Sequence, residues 1–184
     1  IKQKVKFRNW IILIQRMKQT NKIPLKKDIN DSTWEKLNNY CCNKSINDIN
    51  SIVSWLATEF NIDITLDQDI ISGYISDYSN IKGTAIGLCR PKDDIQASII
   101  VRIFYLIKMP YTISAGKTNL TGSATPMEGF VLSIDNLNNT KPIVNQDMVT
   151  CSTATYLEDM RNEVLEQSKG KFYYPVDPTS RREA

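Results

Sequence analysis

The chain of 184 residues contains no histidine, so a histidine-based zinc site and a Ser-His-Asp triad are excluded within it. Its four cysteines show no C-x-x-C spacing, and the neighbours Cys41 and Cys42 are badly placed to pair with each other. A reduced compartment, the cytoplasm, is the simplest reading. Long apolar runs are missing too. The longest near the start, Trp10 to Ile14, falls far short of the ~20 residues that span a bilayer. Acidic residues are absent from Ile1 to Lys27, which concentrates the net charge of +3 in that first segment and leaves the body close to neutral. A near-neutral body argues against a general nucleic-acid binder, whose basic residues form a stripe across the domain itself.

What is present suffices for one domain: 41% of the residues are hydrophobic, enough for a core at this length. Lys2 to Gln19 reads as a basic amphipathic helix ended by Asn21 to Pro24, and residues 1–45 as a basic helical N-terminal extension. Packing or solvation is the preferred role of that arm; contact with a membrane surface or service as an organellar targeting segment is the weaker alternative. Asp31-Ser32 can cap a short helix through Trp34 and Leu37. Ser45-Ile46-Asn47-Asp48 offers a capping-box-like start to a helix whose apolar residues Ile46, Ile49, Val53, Leu56 and Phe60 share one face. Trp55 and the cysteine pair are read as packing. Asp67 to Asn80 reads as a short helix and an irregular loop.

From Thr84 onward the pattern is a β-α-β unit. Thr84 to Arg90 is a strand, Asp93 and Asp94 begin a helix carrying Ile95, Ile99, Ile103, Leu106 and Ile107, and Tyr111 to Ser114 is a second strand, parallel to the first. Phe130 to Ile134 is a third strand. A hairpin is expected around Asn145-Gln146-Asp147, then a helix from Thr155 to Gln167 stopped at Gly170. No initiator methionine is present and the last residues form no closing element, which reads as a chain cut at both ends.

Between the second and third strands lies Ser114-Ala115-Gly116-Lys117-Thr118-Asn119-Leu120-Thr121-Gly122-Ser123. A loop this poor in bulk, leaving the carboxyl end of a parallel strand, lets backbone N–H groups approach a phosphate, with Lys117, Thr118 and Thr121 as further donors. The bland alternative is a polar surface turn. Two nucleotide motifs fail. Ala115-Gly116-Lys117-Thr118 matches the end of a P-loop, but its leading glycine is Tyr111, and Gly122 and Pro126 interrupt the helix that should follow. G-x-G-x-x-G is absent.

The order Tyr74, Asp77, Ser79, then Arg90-Pro91, then Ile113 to Gly122, then Pro126 to Ser133, and last Tyr174-Pro175-Val176-Asp177-Pro178-Thr179-Ser180 resembles the FAD-binding domain of FAD-linked oxidases. This is the vanillyl-alcohol oxidase and p-cresol methylhydroxylase superfamily, and the chain is most similar to its D-lactate dehydrogenase and glycolate oxidase branch. The resemblance implies an α+β, two-lobed FAD-binding domain of p-cresol methylhydroxylase type over residues 46–184, its second lobe incomplete. It implies FAD as cofactor, wrapped at the pyrophosphate by Ser114 to Ser123 and approached on the ribityl and isoalloxazine side by Pro175, Asp177 and Ser180. The implied activity is oxidation of a small 2-hydroxy acid by hydride transfer to FAD, with catalytic residues in a cap domain beyond Ala184. Ser114 and Ala115 stand where the family usually has arginine then glycine, Lys117 where a small residue is common, and Glu128 for the first of a glycine pair. Those replacements support the alternative, a flavin-free module of the same fold. With no histidine, a histidyl link to flavin cannot come from this chain.

Overall fold

The computed structural model describes residues 31–43, 48–137 and 140–176. The expected helix Lys2 to Gln19 lies outside them. Helix α1 (Asp31–Asn43) opens at the expected acidic residue, and α2 (Ile49–Phe60) starts after Asp48, whose side chain accepts from the Asn50 N–H. Asp48 thus satisfies an early orphan donor of this helix, and Ser45 lies outside the described residues. Next come β1 (Asp63–Thr65), the short helix α3 (Gln68–Ile71) with a 3-10 turn (Ser72–Tyr74), and β2 (Gly87–Arg90). Helix α4 (Asp94–Ile107) is capped by Asp93, which accepts from Gln96 N at 2.8 Å. The chain continues through β3 (Tyr111–Ser114), β4 (Phe130–Ser133), the hairpin β5 (Ile143–Asn145) and β6 (Met148–Thr150), and α5 (Leu157–Gln167).

The sheet has the order β1-β2-β4-β3. Strands β2 and β3 are parallel, as the β-α-β pattern requires, but β4 lies between them and pairs parallel with each. Insertion of β4 explains why all four of its residues are buried: a central parallel strand is covered on both faces. On one face Cys89, Phe130 and Leu132 pack with Ile99, Ile100, Ile103 and Phe104 of α4, together with Leu37 of α1 and Leu56 of α2. On the other, Leu88 and Val131 pack with Ile71, Ala85, Tyr74 and Ile75. Helix α1 is fastened to α4 by Arg102, which donates to Asn38 Oδ1 at 3.2 Å and lies 5.0 Å over the Trp34 ring.

Two features depart from the sequence pattern. Strand β1 was not expected; it pairs antiparallel with β2, and at its end Arg90 Nε lies 3.0 Å from Asp63 Oδ2. Strand β2 begins at Gly87 because the preceding residues bond outside the ladder, Thr84 N to Pro126 O (2.8 Å) and Ile86 N to Gly129 O (2.7 Å). The hairpin docks on α5 through Gln167, which donates to Pro142 O at 2.8 Å and accepts from Val144 N at 2.9 Å. Gly170 ends α5 in the left-handed region (φ 76°), its N–H reaching Leu165 O at 2.8 Å. Among the described residues no helix is long and apolar enough to cross a membrane, and no cluster of side chains could hold a metal ion.

Candidate functional site

The loop from Ser114 to Ser123 leaves the carboxyl ends of the parallel strands. Its strand side is fixed: Ser114 is fully buried, its carbonyl accepts from Ile134 N at 2.9 Å, and it pairs in register with Ser133. The Ser114 hydroxyl has no hydrogen-bond partner among the described residues, although Ser133 Oγ beside it donates to Asp135 Oδ2 at 2.7 Å. A buried hydroxyl without a partner costs about 1–3 kcal/mol.

Beyond Ser114 the loop is held by its side chains and carbonyls. Asp77 is the centre of that network. Its carboxylate accepts from Asn119 Nδ2 at 2.8 Å, from Ala124 N at 3.4 Å, and from both the amide and hydroxyl of Ser79. The Ser79 hydroxyl chiefly, with these other donors, holds the Asp77 carboxyl below the usual carboxylate range. Asn119 Nδ2 also reaches Ser123 Oγ at 2.9 Å. Lys117 has φ 56°, Nζ donates to Gly73 O at 2.7 Å and lies 4.9 Å over the Tyr74 ring, and its carbonyl accepts from Tyr78 N at 3.2 Å. A left-handed lysine costs roughly 1–2 kcal/mol, offset here by those contacts. Gly122 (φ 77°) lies against Ile81, and Gly129 (φ 68°) leaves no room for a side chain: a Cβ would stand 2.0 Å from Pro110 O.

The backbone donors are used differently. From Ala115 through Ser123, no N–H finds an acceptor among the described residues. A compact loop with tied carbonyls and free N–H groups is suited to an anion. These free donors and the orphaned Ser114 hydroxyl fit the diphosphate of a dinucleotide; the Asp77 charge against the loop opposes it. Of the expected site residues, Ser114 is buried, Ala115, Gly116, Lys117, Asn119 and Gly122 are half-buried, and Thr118, Leu120, Thr121 and Ser123 are exposed. Pro175 is exposed beyond α5 and makes no hydrogen bond to the loop; Asp177 and Ser180 lie outside the described residues. The ammonium of Lys117, expected to face phosphate, is engaged with Gly73 and Tyr74 instead. In the sequence Asp77 stands as a landmark of the resemblance, with no role at the loop; its Asp-x-Ser spacing is the signal for the local turn, and nothing local points to Asn119 as its partner. Cys89 is fully buried, which pushes its thiol up and leaves it inert.

No protein-family model and no curated protein matches this sequence. Among solved structures the chain is similar to a chitooligosaccharide oxidase, at 12% identity and a TM-score of 0.52, over 64% of this chain and 26% of that one. It is also similar to glucooligosaccharide oxidase from Acremonium strictum, at 11% identity and a TM-score of 0.50, over 62% of this chain and 25% of that one. That enzyme carries a 6-S-cysteinyl, 8α-N1-histidyl FAD. At such identities the likeness establishes the fold alone, a mixed α+β fold shared with part of these oxidases. The chain spans about a quarter of the length of these proteins. Both are oligosaccharide oxidases by name, so the 2-hydroxy acid branch expected from the sequence finds no support in them.

Proposed function

We propose that this chain is the FAD-binding portion of a flavin-dependent oxidoreductase, with Ser114 to Ser123 as the seat of the FAD pyrophosphate. The observation that carries this reading is the run of N–H groups from Ala115 to Ser123 with no acceptor among the described residues, positioned where parallel sheets place ligands. In it the loop backbone binds the diphosphate, the Ser114, Thr118 and Thr121 hydroxyls are further donors, and Gly116 and Gly122 keep the approach open. Pro175, Asp177 and Ser180 serve the ribityl and isoalloxazine side. The sheet and its helices form the first lobe; the β5–β6 hairpin and α5 begin the second. Bound FAD supplies the hydride acceptor, and these residues bind and orient it. Because these residues include no histidine for a histidyl link, a non-covalent cofactor is the expected form, a cysteinyl link through the exposed Cys151 being the weaker alternative.

The substrate reading, a 2-hydroxy acid such as D-lactate or glycolate, rests on the sequence resemblance. A flavin-free relative of the same fold is the competing reading, favoured by the Asp77 charge and by the side chains of Ala115, Lys117 and Glu128 where the family usually has glycine or a small residue. Purified full-length protein should show flavin absorbance, and acid precipitation should leave a colourless pellet and a yellow supernatant. Anaerobic addition of D-lactate or glycolate should bleach that absorbance. Colourless protein that ignores added FAD decides for the competing reading; bleaching by oligosaccharides alone overturns only the substrate.

A further inference from the structure

We infer that Lys117 is a positioning residue which sets the loop for its ligand through the Ser72–Tyr74 turn, and is not itself a phosphate ligand. The inference deepens the flavin reading and rests on it for the identity of the ligand. Lys117 is tied at three points, all on one side. Nζ donates to Gly73 O at 2.7 Å, the same ammonium lies 4.9 Å over the Tyr74 ring, and the Lys117 carbonyl accepts the Tyr78 N–H at 3.2 Å. Tyr74 packs against the cluster of Ile71, Ala85, Leu88 and Val131, so the pin runs from the middle of the loop to the sheet.

The backbone supports the same role. A φ of 56° is a left-handed conformation that lysine adopts only where its surroundings over-determine it. Here those surroundings are the turn and Tyr78. The neighbouring N–H groups, Ala115 to Gly116 and Thr118 to Ser123, find no acceptor among the described residues while the chain that carries them is held. Affinity then comes from a loop that does not have to be ordered at the moment of binding. A lysine reaching for phosphate would contribute charge; a lysine spent on Gly73 and Tyr74 contributes geometry.

The two roles separate in full-length protein carrying Lys117→Ala or Lys117→Arg. In the flavin-free protein, exchange of the Tyr78 amide proton should accelerate about tenfold in the alanine variant, because its acceptor is no longer held. Arginine, which keeps a donor for Gly73 O and a cation for the Tyr74 ring, should restore slow exchange. FAD affinity should fall about tenfold in Lys117→Ala, while its dependence on salt stays as in wild type. Unchanged Tyr78 exchange overturns the proposal, as does a salt dependence flattened by the alanine substitution, the mark of a direct phosphate contact. If wild-type protein binds no FAD, the flavin reading falls, and the exchange comparison alone still decides whether Lys117 is the pin.

Discussion

Strand β4 and the loop that ends shortly before it, at Ser123, are close in sequence and held by opposite means. In Phe130–Ser133 every residue is buried, and the strand is pinned between two hydrophobic clusters with a parallel partner on each side. In Ser114–Ser123 only the first residue is buried, and order comes from Asp77, Asn119 and Lys117 acting through side chains and carbonyls. Burial is non-directional and scales with area, so it fixes the sheet firmly but exposes no donors. Side-chain hydrogen bonds are directional and individually modest, and they leave the loop N–H groups free for a ligand. The fold is thus carried by β4 and the proposed binding surface by the loop, and a change in one should leave the other recognisable.

The strand side breaks first and hardest. Phe130 is 2% exposed, its ring lies tilted at 42° to that of Phe104 with centroids 4.9 Å apart, and it fills the space that Gly87 leaves open. Phe130→Ala should cost about 3–5 kcal/mol by loss of transfer energy and by the cavity left behind, read as a lower urea midpoint at unchanged slope. A cost under ~1 kcal/mol would mean that β4 is not the centre of this core.

At the junction the two regions trade against each other. Ser114 closes β3 and opens the loop, and its hydroxyl is buried without a partner. Ser114→Ala removes that orphan group, so folding stability should rise by about 1 kcal/mol in urea titrations of flavin-free protein. The same substitution should weaken FAD, since the hydroxyl is one of the donors assigned to the diphosphate. Opposite signs in the two measurements mark a site kept at the expense of stability. A loss in both would place Ser114 in the core alone.

The part legible in the sequence follows the same division. Helix α4 and the strands around it were visible because Ile99, Ile103 and Ile107 recur at helical spacing and Asp93 stands before them as a cap. The hairpin and α5 were found with boundaries shifted by one or two residues. The insertion of β4 between β2 and β3 was not legible, because strand order depends on packing of distant residues. Strand β1 was missed for its shortness, although Ile62, Ile64 and Leu66 alternate with polar residues. In the loop the residue types were readable and their partners were not: the pairs Asn119 with Asp77 and Lys117 with Gly73 join positions separated by 42 and 44 residues. Polar residues also carry no periodicity that would say which way they turn.

The gentlest way to separate loop from strand is acid. Asp77 is the acceptor at the centre of the loop network, and hydrogen bonds from Ser79 first, then from Asn119 and Ala124, hold its carboxyl below the usual carboxylate range. A folded value lower than the unfolded one means that the stabilisation is fully present above the unfolded value and is lost as pH falls through the folded one. Protonation removes acceptor capacity at the atoms that receive Asn119 Nδ2 and Ala124 N. Below the usual carboxylate range, amide exchange at Ala124 and Tyr78 should therefore quicken while the β4 amides stay protected. Asp48 and Glu163 are also held low, by Ser51 and by Gln167 respectively, but they sit at the start of α2 and on α5, away from the loop. Asp77→Asn distinguishes the sources: it should remove the acid step at Ala124 and leave any step due to the other two. If the step persists in that variant, the loop is not organised around Asp77, and its order must come from Lys117 and the strand ends.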